Sequence, residues 1–249
     1  MNAALAAVLV APGLAVGSFL NVVASRLPIK RPLSRPRSAC MSCGMEIRPY
    51  DNLPLVSYAI LRGRCRSCGE RIPVRYPIVE ATTAALIVAC GLRFGLTADA
   101  VVASFFCAVL VVISAIDLER RIIPNRIVLP ATAVVLVAQT LLHPSLEWTL
   151  AALGAALFLF IPLLVYPAGM GMGDVKLALL LGAMLGRNVA AALMIGLIAG
   201  LLPSVYILAR HGSAGRKKAI PFGPFLAFGG VVALFAGDAL IDRYLDLFA

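Results

Sequence analysis

Long apolar segments, separated by short polar loops, dominate the chain. The first covers residues 3–25 and consists mostly of Ala, Val and Leu, and the others follow from residue 78 onward. A helix of about 20 apolar residues is long enough to cross the hydrocarbon core of a bilayer. Hydrophobic residues make up 61% of the chain and charged residues only 14%, whereas soluble domains have roughly 25% charged residues. The sequence therefore predicts an all-α polytopic membrane protein.

About eight transmembrane helices are predicted. They are residues 3–25, 78–94, 99–116, 127–142, 148–166, 175–186, 189–209 and 222–241. The stretch 175–186 reaches only partway through a core of about 30 Å, since a helix rises about 1.5 Å per residue. The predicted domains are a first transmembrane helix (1–25), a small cytoplasmic domain (26–77) and a transmembrane domain (78–249).

The distribution of basic residues sets the predicted orientation. Eleven of the 22 Lys and Arg residues lie between Arg26 and Tyr76, and only Arg93, Arg187 and Arg243 fall on the opposite predicted side. Cytoplasmic loops carry such an excess, so residues 26–76 are expected in the cytoplasm and both termini outside. The net charge of +10 indicates contacts with anionic membrane lipid rather than nucleic acid, because the charges stand in short loops.

Two Cys-x-x-Cys-Gly motifs lie in the basic domain. Cys40 and Cys43 form the first pair, and Cys65 and Cys68 follow after 21 intervening residues. Each short turn can present two thiolates to one ion, so this spacing predicts a tetrahedral zinc site. Redox or incidental cysteines are the alternative, but a reducing compartment makes disulfides rare. The zinc would be structural, because about fifty residues with few large apolar groups build little core and metal binding supplies folding free energy.

A glycine-rich break at residues 169–176 contains Asp174 between two strongly apolar segments. A charged group at this depth costs several kcal/mol, which makes Asp174 a candidate functional residue. A second interpretation is that Asp174 is the N-cap of a helix that begins at Val175. Asp117 ends another apolar segment on the same predicted side of the membrane, and this second aspartate favours a paired-carboxylate site.

Paired carboxylates can hydrolyse a peptide bond. Two carboxyl groups within hydrogen-bonding distance do not both ionise easily, so they share a proton. The ionised group can then activate water while the protonated group polarises a carbonyl. Glycines beside Asp174 allow an extended substrate to approach closely, and Lys176 either biases the local charge or anchors the helix end at the interface.

A series of motifs, in order along the chain, resembles those of type IV prepilin peptidases, membrane aspartic proteases that also N-methylate the mature pilin. They are Gly17-Ser18-Phe19-Leu20-Asn21-Val22-Val23 with Arg26-Leu27-Pro28, Asp51-Asn52-Leu53-Pro54-Leu55-Val56-Ser57-Tyr58, Leu61-Arg62-Gly63-Arg64-Cys65, Arg75-Tyr76-Pro77-Ile78-Val79-Glu80, Ile123-Pro124-Asn125, Gly171-Met172-Gly173-Asp174-Val175-Lys176, and Ile220-Pro221-Phe222-Gly223-Pro224. The resemblance assigns the catalytic aspartates to Asp117 and Asp174. Asn125 departs from the family pattern, because many members have Asp there.

The resemblance implies two reactions. The enzyme would cleave a short basic leader from type IV prepilin or type II secretion pseudopilin precursors at the cytoplasmic face of the bacterial inner membrane. It would then transfer a methyl group from S-adenosylmethionine to the new N-terminus, in a reaction that the family links to the large cytoplasmic loop and its cysteines. The sequence has no glycine-rich loop after a predicted strand, so residues that bind S-adenosylmethionine are not assigned.

Two other functions fit parts of the sequence. A transporter also uses intramembrane aspartates and broken helices, but it more often places them near the midplane within repeats. A noncatalytic zinc-containing adaptor would leave the Gly-x-Gly-Asp break unexplained. Ser18 and Asn21 share a helix face in the first span, and both helix packing and a site role remain open for them.

Overall fold

The computed structural model describes residues 2–167, 170–211 and 220–246, and this part of the chain is helical with no strand. The α-helices are α1 (Asn2–Arg26), α2 (Val56–Ile60), α3 (Arg75–Phe94), α4 (Ala98–Arg120), α5 (Asn125–Leu142), α6 (Glu147–Val165), α7 (Met172–Leu185), α8 (Val189–His211) and α9 (Gly223–Asp246). This confirms the predicted all-α class.

Seven stretches among the described residues are long and apolar enough to cross a membrane. They are Ala3–Ile29, Arg75–Phe94, Ala98–Arg120, Asn125–Leu142, Glu147–Val165, Met172–Ile207 and Gly223–Asp246. The prediction of about eight differs at one place. Helix α7 has only 14 residues, and the 3-10 turn Gly186–Asn188 joins it to α8, so the two helices count as one stretch.

Helix ends differ from the predicted ends at both aspartates. Helix α4 does not stop at residue 116 but runs on to Arg120, which places Asp117 inside its last turn. Helix α7 begins at Met172 rather than at Val175. Hydropathy marks where a segment meets lipid, whereas backbone hydrogen bonding continues into the polar flank, and this explains both shifts.

Contacts divide the chain into two units, Met1–Ala115 and Ile116–Ala249, and α4 passes from one into the other. In the first unit, α1 packs closely on α3. A Cβ atom added at Gly17 would lie 2.7 Å from Glu80 Cα, and one at Gly13 would lie 2.8 Å from Ala84 Cα. Glycine therefore permits this approach of two backbones. The predicted boundaries at residues 25 and 77 stay a prediction.

In the second unit, α7 is the central helix. Nearly every residue from Asp174 to Leu185 is buried, and α5, α6, α8 and α9 contact the helix. Gly182 allows the close packing of α6, because a Cβ atom there would lie 2.5 Å from Ala152 Cα. A helix enclosed by protein does not need the length of a lipid-exposed span, which accounts for an apolar helix of only 14 residues.

Candidate active site and metal site

Asp117 lies in the last turn of α4 and is 5% exposed. The backbone N–H of Gly223, the first residue of α9, donates a hydrogen bond of 2.9 Å to Asp117 Oδ2. A residue 106 positions away in sequence therefore holds this carboxylate. The sequence singled out the Gly223-Pro224 motif only through the family resemblance and did not reveal this contact.

Asp174 lies in the first turn of α7 and is 9% exposed. Gly171 is the N-cap residue, and its N–H donates a hydrogen bond of 3.2 Å to Asp174 Oδ2. The interpretation of Asp174 as the N-cap is therefore wrong, although its carboxylate does satisfy a backbone donor at this helix end. The side chain reaches back from the third helical position, as the acidic residue of a capping box does.

The structure brings the two aspartates together within the second unit. Asp117 acts electrostatically on Asp174, and both carboxyl groups are buried. Two buried carboxylates that interact in a medium of low dielectric constant repel each other when both are ionised. The arrangement can therefore offer an acid and a base at one place.

Two glycines next to the aspartate site are tightly packed. A Cβ atom added at Gly223 would lie 2.9 Å from Asp117 Oδ2 and 3.3 Å from its Cγ. A Cβ atom at Gly173 would lie 2.9 Å from Cβ of Ile123. Any side chain at these positions would have to displace a carboxylate or the loop after α4.

Within the described residues, Lys176 contacts an asparagine rather than an aspartate. Its Nζ donates a hydrogen bond of 2.8 Å to Asn125 Oδ1 at the start of α5. Asn125 is the position at which the sequence departs from the prepilin peptidase pattern. A neutral partner leaves the positive charge of Lys176 uncompensated within this contact.

The four cysteines of the two motifs form one cluster in the first unit. The Sγ atoms of Cys40, Cys43, Cys65 and Cys68 all lie within 4.8 Å of one another, and the Cys40 and Cys68 sulfurs are 3.8 Å apart. Thiolates bound at about 2.3 Å to a tetrahedral zinc ion stand about 3.8 Å from each other. The donor set and its spacing therefore fit zinc.

The two cysteine motifs have the same backbone hydrogen bonds. The N–H of Cys40 donates to the Met45 carbonyl and the N–H of Gly44 to the Cys40 carbonyl; in the second motif, Cys65 donates to Glu70 and Gly69 to Cys65. Gly44 and Gly69 have φ angles of 71° and 72°, a conformation that favours glycine. The glycine after each second cysteine thus lets the chain turn back around the sulfurs.

The thiols of the cluster differ in acidity. Hydrogen bonds from the backbone N–H groups of Cys43 and Ser42 lower the pKa of Cys40 to about 6. For Cys68, the N–H of Glu70 lowers the pKa, but desolvation and hydrogen bonds with the other thiols outweigh it and raise the pKa to about 12. A zinc ion would hold all four sulfurs as thiolates.

An ion pair fixes the second cysteine motif to the preceding loop. Arg66 donates hydrogen bonds to both carboxylate oxygens of Asp51, the shorter of them 2.6 Å to Oδ1. Hydrogen bonding from Arg66 lowers the pKa of Asp51. Asp51 lies in the 3-10 turn Pro49–Asn52, so this contact joins the turn to the metal cluster.

Cys90 and Cys107 lie outside the cluster. They pack against each other between α3 and α4 with their sulfurs 3.9 Å apart, and both are fully buried. Such burial is typical of cysteines that act as small apolar packing residues.

Comparison with known proteins identifies the family. Residues 11–94 match the bacterial peptidase A24 N-terminal domain, and residues 104–208 match the type IV leader peptidase family. A prepilin leader peptidase/N-methyltransferase from Bacillus subtilis (strain 168) is 34% identical over 94% of this chain and 96% of its own length. A protein of the same name from Pseudomonas putida is 37% identical over 94% and 92%. No solved structure matches the chain. The family matches and the two relatives show that the chain belongs to the type IV leader peptidase family.

Proposed function

We propose that the protein removes the basic leader peptide from prepilin or pseudopilin precursors and then N-methylates the new N-terminal residue. The names of the relatives support both reactions. The observation that carries the peptidase assignment is that Asp117 and Asp174, from different helices, are buried together and held by backbone donors.

Asp117 and Asp174 act as an acid and a base in the proposed cleavage. The ionised carboxylate takes a proton from the attacking water, and the protonated one donates to the scissile carbonyl oxygen. The N–H groups of Gly223 and Gly171 each occupy one carboxylate oxygen. These bonds orient the carboxyl groups before substrate binds, which lowers the cost of reorganisation during the reaction.

The cleavage site faces the cytoplasm of the inner membrane in this proposal. The support is the basic residues near both aspartates, since Arg120, Arg121 and Arg126 follow Asp117 and Lys176 follows Asp174. The scissile bond lies between a basic leader and the apolar segment of the substrate. Such a bond stands at the membrane boundary, where α4 ends and α7 begins.

Zinc in the cysteine cluster has a structural role. Cys40, Cys43, Cys65 and Cys68 would hold it, and four thiolates leave no open position for a reacting water. When bound, the ion supplies folding free energy to a domain with little apolar core. The matching backbone turns and the Asp51–Arg66 ion pair position the ligands for it.

Methyl transfer follows cleavage, because the acceptor amine does not exist until the leader is removed. S-adenosylmethionine supplies the methyl group. Among the described residues there is no strand, so no strand–loop–helix element of the dinucleotide-binding type offers a site for it.

The test is to incubate purified protein in nanodiscs with a prepilin and S-adenosylmethionine and to score products by mass spectrometry. The proposal predicts loss of the leader followed by the added mass of one methyl group. An intact prepilin after incubation with folded, zinc-loaded protein would contradict the peptidase assignment. Cleaved pilin without added methyl mass would contradict only the second activity.

A further inference from the structure

A polar cluster lies between α1 and α3 in the first unit. It is near the end of α1 at Arg26 and the start of α3 at Arg75. Its members are Ser18 and Asn21 on α1 and Glu80 on α3. Asn21 is 4% exposed and Glu80 is 8% exposed. The peptidase mechanism uses none of these residues, and all belong to an otherwise apolar helix pair.

Glu80 is a buried carboxylate whose described partners are all neutral. The backbone N–H of Leu55 donates a hydrogen bond of 2.9 Å to Glu80 Oε2, and Ser18 also hydrogen-bonds the carboxylate. A carboxylate at membrane depth is costly without an opposite charge. The hydrogen bonds described for Glu80 come from neutral donors.

Asn21 adds an acceptor that has no partner. Its Nδ2 donates a hydrogen bond of 3.1 Å to the Tyr76 carbonyl, which fixes the orientation of the amide. The other atom, Oδ1, is fully buried and has no hydrogen-bond partner among the described residues. A buried acceptor left unsatisfied is destabilising, so such an atom calls for an unseen donor.

The two acceptors lie on successive turns of the helix pair. Gly17 packs on Glu80, and Asn21, one turn farther along α1, bonds to Tyr76, one turn before Glu80 on α3. Residues four apart on one helix are neighbours on its surface. Glu80 and Asn21 therefore lie on neighbouring turns between the two helices.

We infer that this cluster binds a primary ammonium group before methyl transfer, with Glu80 supplying the negative charge and Asn21 Oδ1 accepting one N–H. A pilin N-terminus bound in this way passes a proton to Glu80, and the resulting amine attacks the methyl carbon as S-adenosylhomocysteine leaves. An ammonium group has three donors and one positive charge, which complements these acceptors. The inference rests on the proposed function, which provides two sources: the freed N-terminus of the pilin and the amino-acid end of S-adenosylmethionine.

Contact with the loop supports a role in methyl transfer. The bond from Leu55 joins Glu80 to the segment before α2, and Leu55 has a φ angle of 58°. A non-glycine residue seldom adopts that conformation unless its surroundings hold it there. The cluster thus lies where the basic domain, to which the family links methylation, meets the membrane helices.

The experiment measures equilibrium binding to zinc-loaded protein in nanodiscs. The probes are a mature pilin N-terminal peptide, the same peptide without its α-amino group, and S-adenosylmethionine. If the ammonium group that binds is the pilin N-terminus, the amine-bearing peptide should bind the unmutated protein at least tenfold more tightly than the des-amino peptide. This comparison needs no variant.

Glu80→Gln removes the charge but keeps an oxygen that can accept from Leu55. We expect it to weaken binding of the amine-bearing peptide or of S-adenosylmethionine at least tenfold, and the affected ligand identifies the source. Binding of the des-amino peptide and leader cleavage should not change. Thr83→Val is the matched control, because Thr83 is equally buried on α3 but donates to its own helix at Val79.

Unchanged affinity of Glu80→Gln for both ligands would overturn the inference, and so would equal weakening of the two peptides. An unmutated protein that neither cleaves nor methylates would instead contradict the proposed function itself.

Discussion

The cysteine cluster and the aspartate site are built in opposite ways. Each half of the cysteine cluster is a local turn, and the two turns repeat the same hydrogen bonds around Gly44 and Gly69. In the aspartate site, the backbone N–H that donates to each carboxylate comes from a different distance in sequence. Gly171 is three residues from Asp174, whereas Gly223 is 106 residues from Asp117. The cysteine geometry therefore depends on local turns, and the aspartate geometry depends on how α4, α7 and α9 pack.

Loss of either aspartate should have the largest effect on cleavage. Asp117→Asn and Asp174→Asn should each reduce leader cleavage by roughly 10³-fold or more, because the pair loses its acid or its base. Single-turnover cleavage of a prepilin measures the effect. Asp99→Asn is the control, since Asp99 lies in the first turn of the same helix as Asp117. Near-normal cleavage by either site variant would refute the pair.

Removal of the metal should damage the basic domain before the aspartate site. We expect Cys43→Ser to abolish zinc binding and methyl transfer while cleavage falls by less than about tenfold, because zinc supplies folding free energy locally. Elemental analysis and the two activity assays measure this, and unmutated protein should hold one zinc. Cys90→Ser should retain the metal, because Cys90 lies outside the cluster. Zinc-free protein with four intact thiols and normal methylation would contradict the assignment.

A methyl group at Gly223 should disturb the aspartate site without removing any catalytic group. Gly223→Ala places Cβ 2.9 Å from Asp117 Oδ2. A displacement of about 1 Å can cost roughly a hundredfold in rate, so we expect a ten- to hundredfold loss of kcat for cleavage. Gly154→Ala is the control, since a Cβ atom there meets nothing within 4 Å. Equal activity of the two variants would show that Gly223 does not position Asp117.

The smallest effect is expected at the Lys176–Asn125 contact. Lys176→Met removes a hydrogen bond between partly exposed side chains, and such contacts contribute about 0–1 kcal/mol. Cleavage should therefore change by less than about fivefold. Asn125→Asp tests the same contact by giving Lys176 a charged partner, and a loss as large as that of Asp174→Asn for either variant would make Lys176 part of the reaction.

These contrasts also explain what the sequence could predict. Hydropathy predicted the membrane helices, and the Cys-x-x-Cys-Gly spacing predicted a cluster that the structure does assemble. Both signals are local. The extension of α4 past Asp117 and the start of α7 at Met172 were missed, because helical hydrogen bonding continues beyond the apolar residues.

The long-range contacts were beyond sequence reasoning. Nothing in the composition around Gly223 indicates that its N–H reaches Asp117. The same holds for Glu80, whose partner Leu55 lies 25 residues away. The sequence does show that Asn21 shares a polar helix face with Ser18 in the first span. Only the packing of α1 against α3 shows that its Oδ1 is buried and unsatisfied among the described residues.

The two reactions use separate groups in the proposed function, with Asp117 and Asp174 serving cleavage alone. This separation is tested by supplying mature, unmethylated pilin and labelled S-adenosylmethionine to Asp174→Asn protein. We expect this variant to transfer label to the pilin N-terminus at a rate close to that of the unmutated enzyme. Failure to transfer label, under conditions in which the unmutated enzyme transfers it readily, would show that Asp174 serves both reactions.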